Sequence, residues 1–303
     1  MDLKKILCPV DFSPATSAAL MPAASLAKKY GAEVILLHVI GFPGPGMTTT
    51  VPEFDLQGFL DEVRERAEQR LEDFSDNQLG DDVPTRCVVE NGIPAAEIVA
   101  VAEKEAADII VLPTHSRGGL ERLMMGSVAE KVVRLAPCPV LTVHPGTGEV
   151  ADFHPTRVMF ATDFSDYSDL ALPHALSVAS EYGAELLMVH VATVFEADPA
   201  NPEWAFPEVP PRYAQAVVQQ AEKELERRVE RAADGKVKVR TRMTRGFDPG
   251  SDLLKVAEQE NIDLIVMATH GRTGILHALA GSTAERVVRH ATCPVLTVRP
   301  NAD

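Results

Sequence analysis

The chain has 303 residues, 46% of them hydrophobic and 24% charged, a globular composition that excludes a disordered or fibrous protein and leaves room for two ordinary domains. Its 44 acidic against 29 basic side chains give a net charge of −15, which excludes a surface that coats DNA or RNA, because phosphate contacts need clustered Lys and Arg. A nucleotide is not excluded, since the net field is screened beyond about 8–10 Å.

The N-terminus, MDLKKILCPVDFS, lacks the apolar stretch of roughly 7–15 residues and the cleavage site of a signal peptide. No run approaches the ~18 apolar residues of a membrane helix. Cys8, Cys87, Cys138 and Cys293 form no CxxC pair, and three of them lie in or beside apolar runs. They read as structural thiols of a reducing compartment, with metal or redox roles as the alternative. A soluble, cytoplasmic protein is expected.

In chain order, strands are predicted at 4–10, 33–40, 84–90, 108–113 and 139–143, with helices at 14–30, 54–75, 94–106 and 127–136. The second half repeats the series: strands at 157–162, 185–192, 237–244, 263–268 and 294–298, and helices at 166–182, 210–233, 250–260 and 282–291. The repetition extends to residues. Asp11 and His38 fall over Asp163 and His190 at an offset of 152, and Gly126-Ser127 over Gly281-Ser282 at 155. This is a tandem duplication. Domains are expected at 1–147 and 155–303, joined by a linker at 148–154. Short strands alternating with amphipathic stretches predict an α/β chain: two tandem Rossmann-like domains, each an open five-stranded parallel sheet with helices on both faces. Ligands of such sheets bind at the C-terminal ends of the strands, so candidate site residues stand just after each strand.

Asp11 and Asp163 end the first strands, each before Phe-Ser. They read either as turn carboxylates beside the capping serines Ser13 and Ser165, or as acceptors for a ligand's base or ribose hydroxyl. His38 and His190 end the second strands and read as structural groups, while Val39 and Val191 offer backbone groups and an apolar wall. After the fourth strand of the second half comes Ala268-Thr269-His270-Gly271-Arg272, and further on Gly281-Ser282-Thr283. A glycine-bearing loop running into a helix presents backbone N–H groups to an anion such as phosphate. The alternative is structural: Ser127-x-x-Glu130 and Ser282-x-x-Glu285 have the spacing of capping boxes that satisfy those donors themselves. Arg117 and Arg272 read equally as phosphate contacts or solvent-facing side chains. No Walker loop, GxGxxG, GxSxG or HExxH is present, and no carboxylate with a neighbouring base stands out as catalytic. No metal is indicated beyond Mg²⁺ carried by a nucleotide. The Pro-rich stretches 41–53 and 192–212 read as surface connections or as lids, the second holding the only tryptophan, Trp204.

The VDFS and TDFS strand ends, the His-Val pairs and the THxR…GS…CPVLTV blocks closely resemble the universal stress protein (UspA-like) family in tandem form, once per half. In its nucleotide-binding members, a G-x2-G-x9-G-[ST] pattern after the fourth strand holds phosphates, and the first-strand Asp and second-strand Val hold adenosine. The resemblance therefore implies a stress-response regulator binding ATP, or ADP or AMP, with or without Mg²⁺, and with little turnover. Its implied nucleotide residues are Ala161, Thr162, Asp163, Val191, Ala268, His270, Gly271, Arg272, Gly281, Ser282 and Thr283. The first half departs from the pattern, with Pro113 and Ser116 at the first two glycine positions. Asp11, Val39, Ser116, Gly126 and Ser127 are thus weaker candidates. The family also pairs domains through the last strand, which implies intramolecular pairing of 139–145 with 294–300 and leaves a homodimer open. The rival readings are a slow ATP hydrolase or phosphotransferase using His270 or Asp163, and a ligand-free scaffold of the same fold.

Overall fold

A computed structural model describes residues 2–41, 56–114, 125–144, 153–193, 211–232, 235–271 and 281–300. The chain divides between Phe153 and His154 into two compact units. In the first, β1 (Lys5–Pro9), α1 (Pro14–Tyr30), β2 (Glu33–Ile40), α2 (Leu56–Gln78), β3 (Thr85–Asn91), α3 (Pro94–Glu105), β4 (Ile109–Pro113), α4 (Ser127–Leu135) and β5 (Val140–Val143) come in order. The strands pair in parallel in the spatial order β3-β2-β1-β4-β5.

The second unit repeats this with β6 (Arg157–Ala161), α5 (Asp166–Asp169), α6 (Leu172–Tyr182), β7 (Glu185–Ala192), α7 (Pro211–Ala232), β8 (Val239–Arg245), α8 (Pro249–Gln259), β9 (Leu264–Ala268), α9 (Ser282–His290) and β10 (Val295–Val298). Its parallel order is β10-β9-β6-β7-β8.

Helices on both faces explain the unbroken apolar runs of the inner strands. Ile6, Leu7 and Ile110 in the first unit and Phe160, Ile265 and Val266 in the second expose no surface. The outer strands β3 and β8 are only partly covered and carry the ion pairs Arg86–Glu105 and Arg240–Glu185. Charge along an outer strand discourages pairing with another chain. Each fourth strand is tied to the first by an aspartate ahead of it. Asp108 Oδ2 accepts from the N–H groups of Lys4 and Lys5, and Asp263 Oδ2 from those of Thr156 and Arg157.

The predicted helix 166–182 is in fact two. Pro173 has no N–H to give the Asp169 carbonyl, and the chain tightens there into i→i−3 bonds from Leu170 and Ala171 to Tyr167 and Ser168. In the duplicated position α1 runs through Pro22 unbroken, between its Ser13 cap and Gly31 at φ 68°. No helix among the described residues is long and apolar enough to cross a membrane.

Burial pushes the Cys138 and Cys293 thiols up to about 12, and raises Cys8 and Cys87 as well. Because the thiolate is the reacting species, the buried Cys8 and Cys293 should resist iodoacetamide at about pH 8 in the native protein and react once it is unfolded. Rapid native-state labelling of Cys8 or Cys293, read by mass spectrometry, would contradict that burial.

Candidate functional site

In the second unit the strand order reverses between β6 and β9, which lie side by side with Phe160 opposite Val266. The chain leaves β6 toward β7 on one side and β9 toward β10 on the other, so a crevice opens between the two loops. A cavity of about 1130 Å³ lies there. It gathers Ala161, Thr162 and Asp163 from the end of β6, Val191 from β7, Ala268, His270 and Gly271 from the end of β9, and Gly281, Ser282 and Thr283 from the start of α9. Arg272 lies outside the described residues, as does Trp204.

The turn after β6 is built by its own side chains. Asp163 Oδ1 accepts from the N–H and the hydroxyl of Ser165, at 3.0 and 2.6 Å. Ser165 in turn caps α5 by accepting from the Ser168 N–H. Between them Phe164 has φ 65°, a left-handed conformation uncommon for a bulky residue. Its N–H donates to Thr162 Oγ1 at 3.0 Å. So Asp163 is both the turn carboxylate and a wall of the cavity, and the two readings of the sequence are compatible. His190 is a structural clamp: Nδ1 bonds the Thr162 carbonyl at 2.8 Å, and the ring stacks on Phe164 at 4.0 Å.

The loop after β9 differs from expectation. Gly281, not Ser282, is the N-cap of α9, and no side-chain cap bond is made there. The same holds at Gly126 of α4. Ser127 and Ser282 therefore occupy the first helical position, and Ser-x-x-Glu is one residue out of register for a capping box. The Gly281 N–H is itself engaged, donating to the Thr269 carbonyl at 2.8 Å. The first intrahelical bond runs from the Glu285 N–H to the Gly281 carbonyl, so the N–H groups of Ser282, Thr283 and Ala284 are the helix's orphan donors. Beside them His270 Nδ1 meets Thr269 Oγ1 at 2.9 Å, while Nε2 is buried without a hydrogen-bond partner.

Gly271 has no left-handed φ; its use lies in the side chain it lacks. A Cβ there would stand 2.4 Å from Asp163 Oδ2, so the glycine makes room for the carboxylate. At Gly281 a Cβ would meet only the Thr269 carbonyl at 3.4 Å, an ordinary contact.

The first unit keeps the frame. Asp11 Oδ1 accepts from Ser13 N–H and Thr16 Oγ1, His38 bonds the Val10 carbonyl, and the Gly126 N–H donates to the Thr114 carbonyl. Val39 sits in β2 and Ser127 opens α4. Ser116 and Arg117 lie outside the described residues.

One wall of the cavity was not anticipated. Tyr213, Val217, Gln220 and Glu224 of α7 line it, and their helical spacing puts them on one face. That spacing was readable, but nothing in it distinguishes a cavity wall from ordinary core. Among the described residues no group of three or more His, Cys, Asp or Glu could hold a metal ion.

Fold and site thus define a tandem α/β protein whose second unit carries a crevice at the strand reversal, walled by a carboxylate and an open helix N-terminus. The chain belongs to the universal stress protein family, whose model matches residues 2–144 and 155–299. A universal stress protein of Mycolicibacterium smegmatis is 32% identical over 301 residues, 97% of each chain. One from Methanocaldococcus jannaschii is 34% identical over 145 residues, covering 47% of this chain and 81% of its own. Among solved structures, a universal stress protein from Archaeoglobus fulgidus superposes with a TM-score of 0.72 at 24% identity, over 99% of this chain and 97% of its own.

The geometry predicts opposite outcomes for two alanines. Gly271→Ala should displace the Asp163 carboxylate from Ser165 and cost about 1–3 kcal/mol in urea unfolding. Gly281→Ala should stay within about 1 kcal/mol of the parent. Equal costs at the two positions would contradict this assignment.

Proposed function

We propose that the second unit binds an adenine nucleotide, with ATP as the expected ligand, and that the protein acts as a stress-response regulator through that bound state rather than through turnover. The observation that carries the reading is the convergence of the Asp163 carboxylate and the orphan N–H groups of α9 on one cavity. Three backbone donors and the positive end of a helix dipole suit a phosphate group. A carboxylate accepts from ribose hydroxyls, and Val191 with Ala161 supplies apolar surface for a flat ring. His270 Nε2 stands ready for a ligand atom. The volume of about 1130 Å³ is ample, since small-molecule pockets span roughly 300–1,000 Å³.

The family resemblance supports the same ligand, because this half keeps Gly271, Gly281 and Ser282, with Ala268 at the first glycine position. Little turnover is expected because Asp163 Oδ1 is already occupied by two donors of Ser165. The first unit is read as the weaker binder, because Pro113 offers no N–H and Ser116 replaces the glycine that matches Gly271.

Calorimetric titration with ATP and Mg²⁺ tests the reading. Gly281→Val should weaken binding by about tenfold or more, some 1.4 kcal/mol, and Gly126→Val should weaken it much less. No heat at millimolar nucleotide would sink the proposal. Multiple-turnover phosphate release that vanishes in Asp163→Ala would replace it with a hydrolase.

A further inference from the structure

Arg228 lies on α7, 64 residues from Phe164, and is only 6% exposed. Two acidic side chains hold it. Nε and Nη2 donate to the two carboxylate oxygens of Asp169 at 2.9 and 3.1 Å, and Nη1 donates to Glu224. The guanidinium also reaches Phe164. Its carbon sits 4.9 Å from the centre of the Phe164 ring, and Nη2 donates to the Phe164 carbonyl at 3.3 Å. The same ring stacks on His190 at 4.0 Å, and His190 is itself anchored on the Thr162 carbonyl. The ring, the carbonyl and the N–H of this one residue are therefore all restrained.

A left-handed φ of 65° on a phenylalanine persists only where its surroundings over-determine it. The restraint matters because Phe164 lies between Asp163 and Ser165. Its backbone angles set whether the Ser165 N–H and hydroxyl can reach Asp163 Oδ1. The first unit repeats the device: Phe12 has φ 61°, and Arg70 stands 4.0 Å from its ring.

We propose that Arg228 is a positioning residue for the nucleotide site, holding Phe164 in its left-handed turn so that Asp163 is aimed to accept ribose hydroxyls. This rests on the nucleotide reading above. The effect is specific: loosening the turn removes recognition of the ribose hydroxyls and leaves the phosphate donors of α9 untouched. Lysine at position 228 keeps the charge facing Asp169 and Glu224 but loses the planar fork and the stacking surface.

The test measures dissociation constants for ATP and for 2′,3′-dideoxy-ATP in the full chain. The parent should prefer ATP by about tenfold or more, the worth of hydrogen bonds to a charged acceptor. Arg228→Lys should lower ATP affinity until the two ligands bind within about twofold of each other, with dideoxy-ATP affinity unchanged from the parent. If Arg228→Lys does not fold, Phe164→Leu carries the test, since leucine disfavours the left-handed conformation and has no ring for the stack, and should give the same collapse. Arg70→Lys, in the other unit, should leave the preference intact. A retained preference in the folded variant overturns the proposal, as does an equal loss for both ligands, which would mark a general structural defect. A parent that binds neither nucleotide overturns the nucleotide reading and this inference with it.

Discussion

Two parallel strands, β6 and β9, are neighbours in space although the chain reaches one from the other only through intervening crossovers. Parallel pairing obliges both loops to leave from the same edge, and the reversal of strand order sends them apart. The distinctive chemistry of the second unit depends on that constraint. It brings Asp163, at the end of the first strand, against Gly271, at the end of the fourth, more than a hundred residues later. It also puts the N-terminus of α9 on the same cavity, because the loop after β9 is drawn together by the bond from the Gly281 N–H to the Thr269 carbonyl.

Within this frame, glycine, aspartate and serine do different work from what their types suggest in isolation. Gly271 provides space for a carboxylate and not a special backbone angle. Gly281 is a helix cap whose own N–H is engaged, so the unpaired helix donors belong to the three residues after it. Ser165 is a true cap, and its hydroxyl passes a hydrogen bond on to Asp163. The bulky residue in the middle, Phe164, takes the uncommon backbone conformation, and the aromatic and cationic stack around it holds it there.

Much of this was legible in the sequence, for physical reasons. The duplication was visible because both copies preserve the residues at the strand ends, and the parallel sheet because inner strands buried on both faces cannot alternate. The residues that line the cavity were nominated because ligands of a doubly wound sheet bind at one edge. Features that could not be read depend on distant contacts or on single hydrogen bonds. The capping-box spacing of Ser282 and Glu285 was real, but the helix starts one residue earlier than a cap at Ser282 requires. The break at Leu170 needed the conjunction of Pro173 with a tightened turn, while Pro22 leaves α1 continuous. Arg228 gave no signal, since an arginine on an amphipathic, charge-rich helix ordinarily faces solvent.

On the proposed reading, the duplicated frame supports one good nucleotide site and not two equal ones. Native mass spectrometry of the intact chain with excess ATP and Mg²⁺ counts the occupied sites directly. The expected result is a dominant species with one ATP per chain, and a second adduct only at much higher nucleotide concentration. Two ATP molecules binding with equal affinity, or none at all, would contradict it.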